Sequence, residues 1–252
     1  MDKRKVMTIF GTRPEAIKMA PLVKELEGRE GIESICCVTA QHRQMLDSVL
    51  DIFELKPQFD LDIMEPSQTL STITSKCLLG LEKVFQEVRP DLVLVHGDTS
   101  TTFAGALAAF YQQIAVGHVE AGLRTWDKYS PFPEEMNRSM VGRLADLHFC
   151  PTTANRRNLE AEGITKGVFV TGNTVIDALR TTVREGFTFA EDVLNTLDYE
   201  NKKVILVTCH RRENYGAPME DIMDALAHIA DTHPEAELVY PVHLARKRTR
   251  LN

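Results

Sequence analysis

Short apolar runs alternate along the chain with longer segments whose apolar residues recur every three or four positions. The short runs are typical of buried strands and lie at 5–10, 35–39, 92–96, 114–119, 147–150 and 168–171. The clearest helix is predicted over Leu70–Val88, with others over 16–26 and after a cap at Thr152 or Thr153. Near-continuous apolar strands that alternate with helices predict an α/β fold, in which a doubly wound parallel sheet is covered on both faces.

A second series of elements begins after residue 171, with a helix near 175–185, a strand at 204–208, a helix at 219–230 and a strand at 237–242. We therefore predict two Rossmann-like domains, over 1–171 and 172–252. The second series has too few strands to cover their own faces and edges, so we expect this domain to be incomplete. The basic residues after Leu244 then indicate a chain that is cut short or read out of frame; a nucleic-acid-binding tail is the alternative.

Composition narrows the class of protein. A net charge of −7 over 252 residues disfavours a nucleic-acid partner. No apolar run approaches the roughly 20 residues of a membrane helix, and the first run is too short for a signal peptide. The five cysteines are scattered, which is typical of buried thiols in a reducing cytoplasm. We expect a cytoplasmic protein with neither a nucleic-acid nor a membrane partner.

Cationic residues follow two of the predicted strands. Arg13 and Lys18 lie at the start of the helix after the first strand, where free N–H groups favour a phosphate. The alternative is that both are surface charges that pair with Glu15 or Asp47. His210 follows the strand at 204–208 and is either an anion ligand or a structural histidine.

Carboxylates follow two further strands. Asp98 precedes Thr-Ser and is interpreted first as a helix N-cap. Glu120 either pairs with Arg124 four residues later or faces one cleft with Asp98 from a neighbouring strand. Glu134, with the acid after it, either belongs to that site or begins a helix that runs to Leu144.

Several common sites are absent from the sequence. There is no dinucleotide fingerprint, no P-loop, no metal-ligand spacing and no nucleophile elbow. No cofactor or metal is therefore expected. The remaining candidates for a functional site are cations, which suit a phosphate, and carboxylates, which suit proton transfer.

Six motifs together resemble the non-hydrolysing UDP-N-acetylglucosamine 2-epimerases. They are FGTRPEAIKMAPL at 10–22, HGDT at 96–99, HVEAGLRT at 118–125, PEEMNR at 133–138, TGNTVID at 171–177 and HRREN at 210–214. The resemblance implies a two-domain, glycosyltransferase-B-like fold. It also implies interconversion of UDP-N-acetylglucosamine and UDP-N-acetylmannosamine for bacterial surface polysaccharides, and a homodimer when the chain is full length.

The resemblance assigns roles to six residues. Arg13, Lys18 and His210 would bind the diphosphate of the UDP-sugar, and the second domain would bind the nucleotide. The acid/base residues in the first domain would be Asp98, Glu120 and Glu134. The chain departs from the family at Ala245, where similar proteins continue with Asn-Pro and complete the second domain.

The chemistry is consistent with these residue types. The hydrogen on C2 of the sugar lies beside an acetal carbon, so simple abstraction is a poor route, and oxidation would need NAD. Elimination of UDP and its re-addition remain, which require cations on the diphosphate and proton-handling groups on both faces of C2. The alternatives are a hydrolysing relative that releases free N-acetylmannosamine, and a nucleotide-sugar-binding remnant without activity.

Overall fold

The computed structural model describes residues 3–40, 43–65, 67–209 and 216–241, with the side chains of Arg43 and Gln44 excepted. Its contacts divide the chain into two compact units, Met1–Arg184 and Glu185–Asn252. The division falls later than residue 172, because a helix beginning at Val175 buries Ala178 against the first helix of the chain.

The first unit contains a parallel sheet and its covering helices. Its described strands are β1 Arg4–Phe10, β2 Ile32–Val38, β3 Phe59–Asp60, β4 Leu92–His96, β5 Ala115–Val119, β6 Leu147–Cys150 and β7 Val168–Val170. Its described helices are α1 Arg13–Glu27, α2 Arg43–Ile52, α3 Leu70–Val88, α4 Ser100–Tyr111, α5 Glu134–Leu144, α6 Thr153–Ala161 and α7 Val175–Thr182. In the second unit the described elements are α8 Asp192–Asn195, β8 Lys203–Leu206, α9 Ala217–Thr232 and β9 Ala236–Val239.

The seven strands of the first unit pair in the order β3-β2-β1-β4-β5-β6-β7, and every pair is parallel. The strand order reverses between β1 and β4, and ligands of open α/β sheets bind at the carboxyl ends of the strands at such a point. In the second unit, β8 and β9 are also parallel. The α/β fold class is confirmed.

Alternate side chains of β1 enter two different cores. Val6 and Phe10 pack with α1 and α2, whereas Met7 and Ile9 pack with α3 and α4. Successive residues of a strand point to opposite faces, so an almost wholly apolar strand must be covered on both. The expected covering of both sheet faces is confirmed.

The periodic elements were predicted best. The bounds Leu70–Val88, Leu92–His96 and Leu147–Cys150 agree with the prediction residue for residue. A cap at Asp98 implies a helix after it, but apolar periodicity gives no bounds for α4, because this alanine-rich helix is buried on most sides and has no polar face. Over the described residues, no helix has the length and apolar character to cross a membrane.

Candidate functional site

Asp98 lies in the turn between β4 and α4, after Gly97 in a left-handed conformation (φ 70°). The N-cap of α4 is Thr99, whose hydroxyl accepts a hydrogen bond from Thr102 N at 3.1 Å. The interpretation of Asp98 as the cap is therefore wrong, because the next hydroxyl fills that position. Oδ2 of Asp98 instead accepts from Nη1 of Arg138 at 3.2 Å.

The surroundings of Asp98 favour its neutral form. Burial raises its pKa from the ordinary value of 3.8 to about 6, although the Arg138 guanidinium acts in the opposite direction. Glu134, Glu120 and Glu15 add smaller upward contributions, since they bring further negative charge close to Asp98. Asp98 can thus gain or lose a proton near neutral pH.

Glu120 follows β5 with a positive φ of 62°, which is uncommon outside glycine. Its Oε1 accepts from Lys18 Nζ at 2.6 Å and from Asn173 Nδ2 at 3.1 Å. The alternative pairing with Arg124 is wrong, because Arg124 binds both carboxylate oxygens of Glu162, at 2.5 and 2.9 Å. The alternative that Lys18 is a surface charge paired with Glu15 or Asp47 is also wrong.

The two carboxylates lie near each other at the ends of neighbouring strands. β4 and β5 are hydrogen-bonded neighbours, with His96 opposite Val119 at their carboxyl ends. Asp98 and Glu120 each follow that end closely in sequence, and the charge of Glu120 affects the pKa of Asp98. This arrangement is the one predicted for two acids at neighbouring strand ends.

Arg13 and Glu134 line a cleft of about 360 Å³, and the charge of Glu134 contributes to the raised pKa of Asp98. The wall of this cleft also includes Thr12, Thr99, Pro133 and Asn137. Glu134 is the first residue of α5, so the helix predicted to run to Leu144 is confirmed, and the acid also lines this cleft. The wall of this cleft therefore combines a cation and a carboxylate.

A buried ion pair on α5 supports Asp98, and the sequence analysis did not assign it. Arg138 donates from Nε to Glu135 at 2.7 Å, and Glu135 also accepts from the backbone of Thr125 and Trp126, both at 3.0 Å. Burial opposes ionisation, but these hydrogen bonds and the Arg138 charge lower the pKa of Glu135 overall. The one sequence feature that could have indicated a role for Arg138 is its place in the PEEMNR motif.

Glu15 is a second unassigned carboxylate, and it is 2% exposed. One oxygen accepts from the backbone N of Gly11 and of Thr12, at 3.0 and 2.8 Å. The other accepts from the hydroxyls of Thr99 and Thr102, at 2.7 and 3.0 Å. Glu15 thus ties the turn after β1, which carries Arg13, to the turn after β4, which carries Asp98.

Two further side chains hold the backbone around Asp98. His118 Nε2 lies 2.7 Å from the carbonyl oxygen of Gly97, and Asn137 Nδ2 donates to the carbonyl oxygen of Asp98 at 2.9 Å. Burial lowers the pKa of His118 to about 3, so its imidazole is neutral and donates one hydrogen bond. Both residues occur in motifs, but neither side chain was assigned a role.

His210 lies outside the described residues. Among the residues described, no cluster of histidine, cysteine, aspartate and glutamate has the arrangement of a metal site. The arrangement that is described is a crevice at the β1/β4/β5 strand ends, with acids and cations side by side.

Comparisons with known proteins agree with this arrangement. The family model for UDP-N-acetylglucosamine 2-epimerase matches residues 24–252. The UDP-N-acetylglucosamine 2-epimerase of Bacillus subtilis is 60% identical over 245 residues, which are 97% of this chain and 63% of that protein.

Two solved structures are similar across both units. The UDP-GlcNAc 2-epimerase of Neisseria meningitidis bound to UDP-GlcNAc is 48% identical, with a TM-score of 0.82, over 96% of this chain and 66% of that one. The Methanocaldococcus jannaschii enzyme in complex with UDP-GlcNAc and UDP is 32% identical, with a TM-score of 0.74, over 95% of this chain and 66% of that one. The chain thus spans 63–66% of the length of these relatives.

Proposed function

Because the chain belongs to the UDP-N-acetylglucosamine 2-epimerase family, we propose that it catalyses the reversible epimerisation of UDP-N-acetylglucosamine to UDP-N-acetylmannosamine at C2. The observation that carries the proposal is the crevice that brings Asp98 and Glu120 together beside Lys18, with Asp98 titrating near pH 6. Proton transfer at C2 and departure of a diphosphate need these two kinds of group in one place.

The proposed reaction proceeds by elimination and re-addition, without hydrolysis. A base removes the C2 proton, the electron pair of the C–H bond forms the C1=C2 double bond, and UDP leaves with the electrons of the C1–O bond. A proton then returns to C2 from the opposite face, and UDP adds back at C1. The overall reaction has no net oxidation, reduction or group transfer, so it requires no redox cofactor.

Asp98, Glu120 and Glu134 are the proposed acid/base residues. The pKa of about 6 suits Asp98 to hold a proton in one step and release it in the next. Glu134 borders the cleft from α5, whereas Glu120 extends from β5, so the carboxylates approach a bound sugar from different elements. This separation supports proton transfer on both faces of C2.

Arg13, Lys18 and His210 are the proposed ligands of the diphosphate. Arg13 is exposed at the N-terminus of α1, where the helix dipole also favours an anion. Lys18 pairs with Glu120, and we propose that the diphosphate competes for its ammonium group. The nucleotide role of the second unit, which includes His210, stays a prediction.

The cellular setting is also a proposal. Cys36, Cys37, Cys77 and Cys150 are buried free thiols, which suits a reducing cytoplasm. The product would be a donor precursor for bacterial surface polysaccharides. The homodimer stays a prediction, and sedimentation analysis tests it.

The decisive experiment incubates the chain with UDP-N-acetylglucosamine in D₂O and follows the sugar by NMR. We expect UDP-N-acetylmannosamine to appear, with deuterium at C2 of both nucleotide sugars. Asp98→Asn is expected to lower the exchange rate by about 100-fold or more, the range for one general acid or base. Asp91→Asn, a change of the same type at a carboxylate remote from the crevice, serves as the matched control.

Two outcomes would contradict the proposal. Free N-acetylmannosamine with UDP would indicate the hydrolysing alternative. UDP-N-acetylglucosamine that binds but acquires no deuterium would indicate a nucleotide-sugar-binding remnant.

A further inference from the structure

The imidazole of His96 is buried with both ring nitrogens unsatisfied. The residue is 3% exposed, and neither Nδ1 nor Nε2 has a hydrogen-bond partner among the described residues. Buried polar atoms are almost always paired, so each exception requires a physical explanation. The mechanism proposed above does not use His96.

One carboxylate oxygen lies close to this imidazole. Nε2 of His96 lies 3.6 Å from Oε2 of Glu120, just beyond hydrogen-bond distance. The other carboxylate oxygen, Oε1, is bound by Lys18 and Asn173. Within the described chain, no hydrogen bond reaches Oε2. A ring nitrogen without a partner therefore faces an acceptor without a donor.

The backbone maintains this juxtaposition. His96 is the last residue of β4, and the left-handed conformation at Glu120 turns its side chain back over that strand end. Gly97 lies directly beside this carboxylate, since a Cβ there would make an ordinary contact of 3.6 Å with Oε2 of Glu120. Burial, followed by the Lys18 charge, lowers the pKa of His96 to about 3, so its ring is neutral and carries a single N–H.

We propose that His96 is a positioning residue for Glu120. When the substrate diphosphate draws Lys18 away from Oε1 of Glu120, the Nε2–H group of His96 donates a hydrogen bond to Oε2 of Glu120. This inference rests on the proposed function, because that function supplies the competing anion. Without His96, departure of Lys18 would leave Asn173 as the one described hydrogen-bond donor to a largely buried carboxylate. A small decrease in the 3.6 Å distance between Nε2 of His96 and Oε2 of Glu120 gives the carboxylate a second hydrogen-bond donor and preserves its orientation.

The first test needs neither ligand nor activity. Lys18→Met removes the cation from Oε1, and ¹⁵N-histidine NMR reports which ring nitrogen of His96 carries the proton. His96→Gln identifies the signals by their loss. We expect the ring proton of His96 on Nε2. The resonance of this N–H proton should move downfield in Lys18→Met, and the shift should disappear in Lys18→Met/Glu120→Ala.

His148 provides the control for this spectrum, because it is also buried and its Nδ1 has no hydrogen-bond partner in the part of the chain that the structure describes. Its resonances should not change in Lys18→Met. A proton on Nδ1 of His96, no downfield shift in Lys18→Met, or a shift that persists in the double variant would overturn the proposal. None of these results depends on whether the chain epimerises its substrate.

The second test separates positioning from packing by kinetics. His96→Phe is expected to lower kcat for C2 exchange by about 10- to 100-fold with little change in KM, the effect of losing one hydrogen bond to a charged group. His96→Gln, which retains an N–H donor, should recover part of kcat. His148→Phe should leave both constants unchanged. A His96→Gln variant as slow as His96→Phe would assign His96 a purely structural role.

Discussion

At Asp98, burial and a nearby guanidinium act on one carboxyl group in opposite directions. Burial has the larger effect and raises the pKa to about 6, while Arg138 limits the rise. Arg138 is itself buried and is fixed by Glu135, so its charge stays close to Asp98. The protonation state of the crevice therefore depends on a side chain that the sequence analysis left without a role.

Replacing Arg138 with methionine tests this dependence. We expect the pKa of Asp98 to rise above 6 by about one unit or more, the usual effect of losing an adjacent opposite charge. Carboxyl ¹³C titration by NMR measures it. Arg143→Met, on the same helix but hydrogen-bonded to the carbonyl oxygen of Glu162, should leave this pKa unchanged. A pKa of Asp98 that stays constant or falls in Arg138→Met would refute the argument.

Asp98 also makes stability depend on pH. Its pKa is raised on folding, so its ionisation costs folded-state stability as pH rises from 3.8 through about 6. We expect the difference in unfolding free energy between Asp98→Asn and the parent chain to change by up to about 3 kcal/mol in favour of the variant between pH 4 and pH 8. This figure corresponds to a pKa shift of roughly two units in the parent. Urea unfolding at both pH values measures the difference.

Asp91→Asn is the control for that pH dependence. The backbone N–H of Lys5 and the Arg4 side chain lower the pKa of Asp91 from its ordinary value of 3.8, the opposite direction to Asp98. Its stability difference from the parent should be constant between pH 4 and pH 8. An Asp98→Asn difference that is equally constant would show that burial does not raise this pKa in solution.

Among the elements, the N-termini of α1 and α4 are joined through Glu15. Its carboxylate accepts from two backbone N–H groups and from the hydroxyls of Thr99 and Thr102. Glu15→Ala should lower the unfolding free energy by about 2–4 kcal/mol, because these buried donors lose their acceptor. Glu25→Ala, on the same helix as Glu15, removes an exposed ion pair with Arg29, which lies just after the helix ends, so it should change stability by less than about 0.5 kcal/mol.

The loop after β5 approaches α6 closely at Gly122. This glycine has φ 86°, and a Cβ there would overlap the carbonyl group of Asn155. Gly122→Ala should therefore destabilise the chain by more than about 3 kcal/mol, since overlap adds to backbone strain. Gly163→Ala has a similar φ of 78° with open space around it and should cost only about 1 kcal/mol. Equal losses in the two variants, measured by thermal unfolding, would contradict the overlap.

At the scale of the molecule, the buried apolar side chains that the structure describes lie in one unit. Every fully buried apolar side chain of the described residues is at or before Ala178. The fragment 1–184 should therefore fold by itself, with the same urea midpoint as the 252-residue chain. The single tryptophan, Trp126, lies in this unit and provides the fluorescence signal. A midpoint well below that of the 252-residue chain would show that residues after 184 stabilise this core.

The sequence predicted the periodic elements of this molecule well and the isolated ones poorly. The helix at Leu70–Val88 was found because its apolar residues follow one face. The short strand at Phe59–Asp60 was missed, because two residues do not establish a period. The turn at Asp98 was misassigned, since both Asp98 and Thr99 are good caps and only the backbone geometry selects one.

Sequence alone determined the α/β alternation, the strand ends that carry charge and the acids that meet at neighbouring strands. Each of these follows from local periodicity and from the common direction of parallel strands. Only the tertiary structure decided which charge pairs with which. Lys18 binds Glu120 and Arg138 binds Asp98 because strand order and left-handed turns bring together residues that are far apart in the chain.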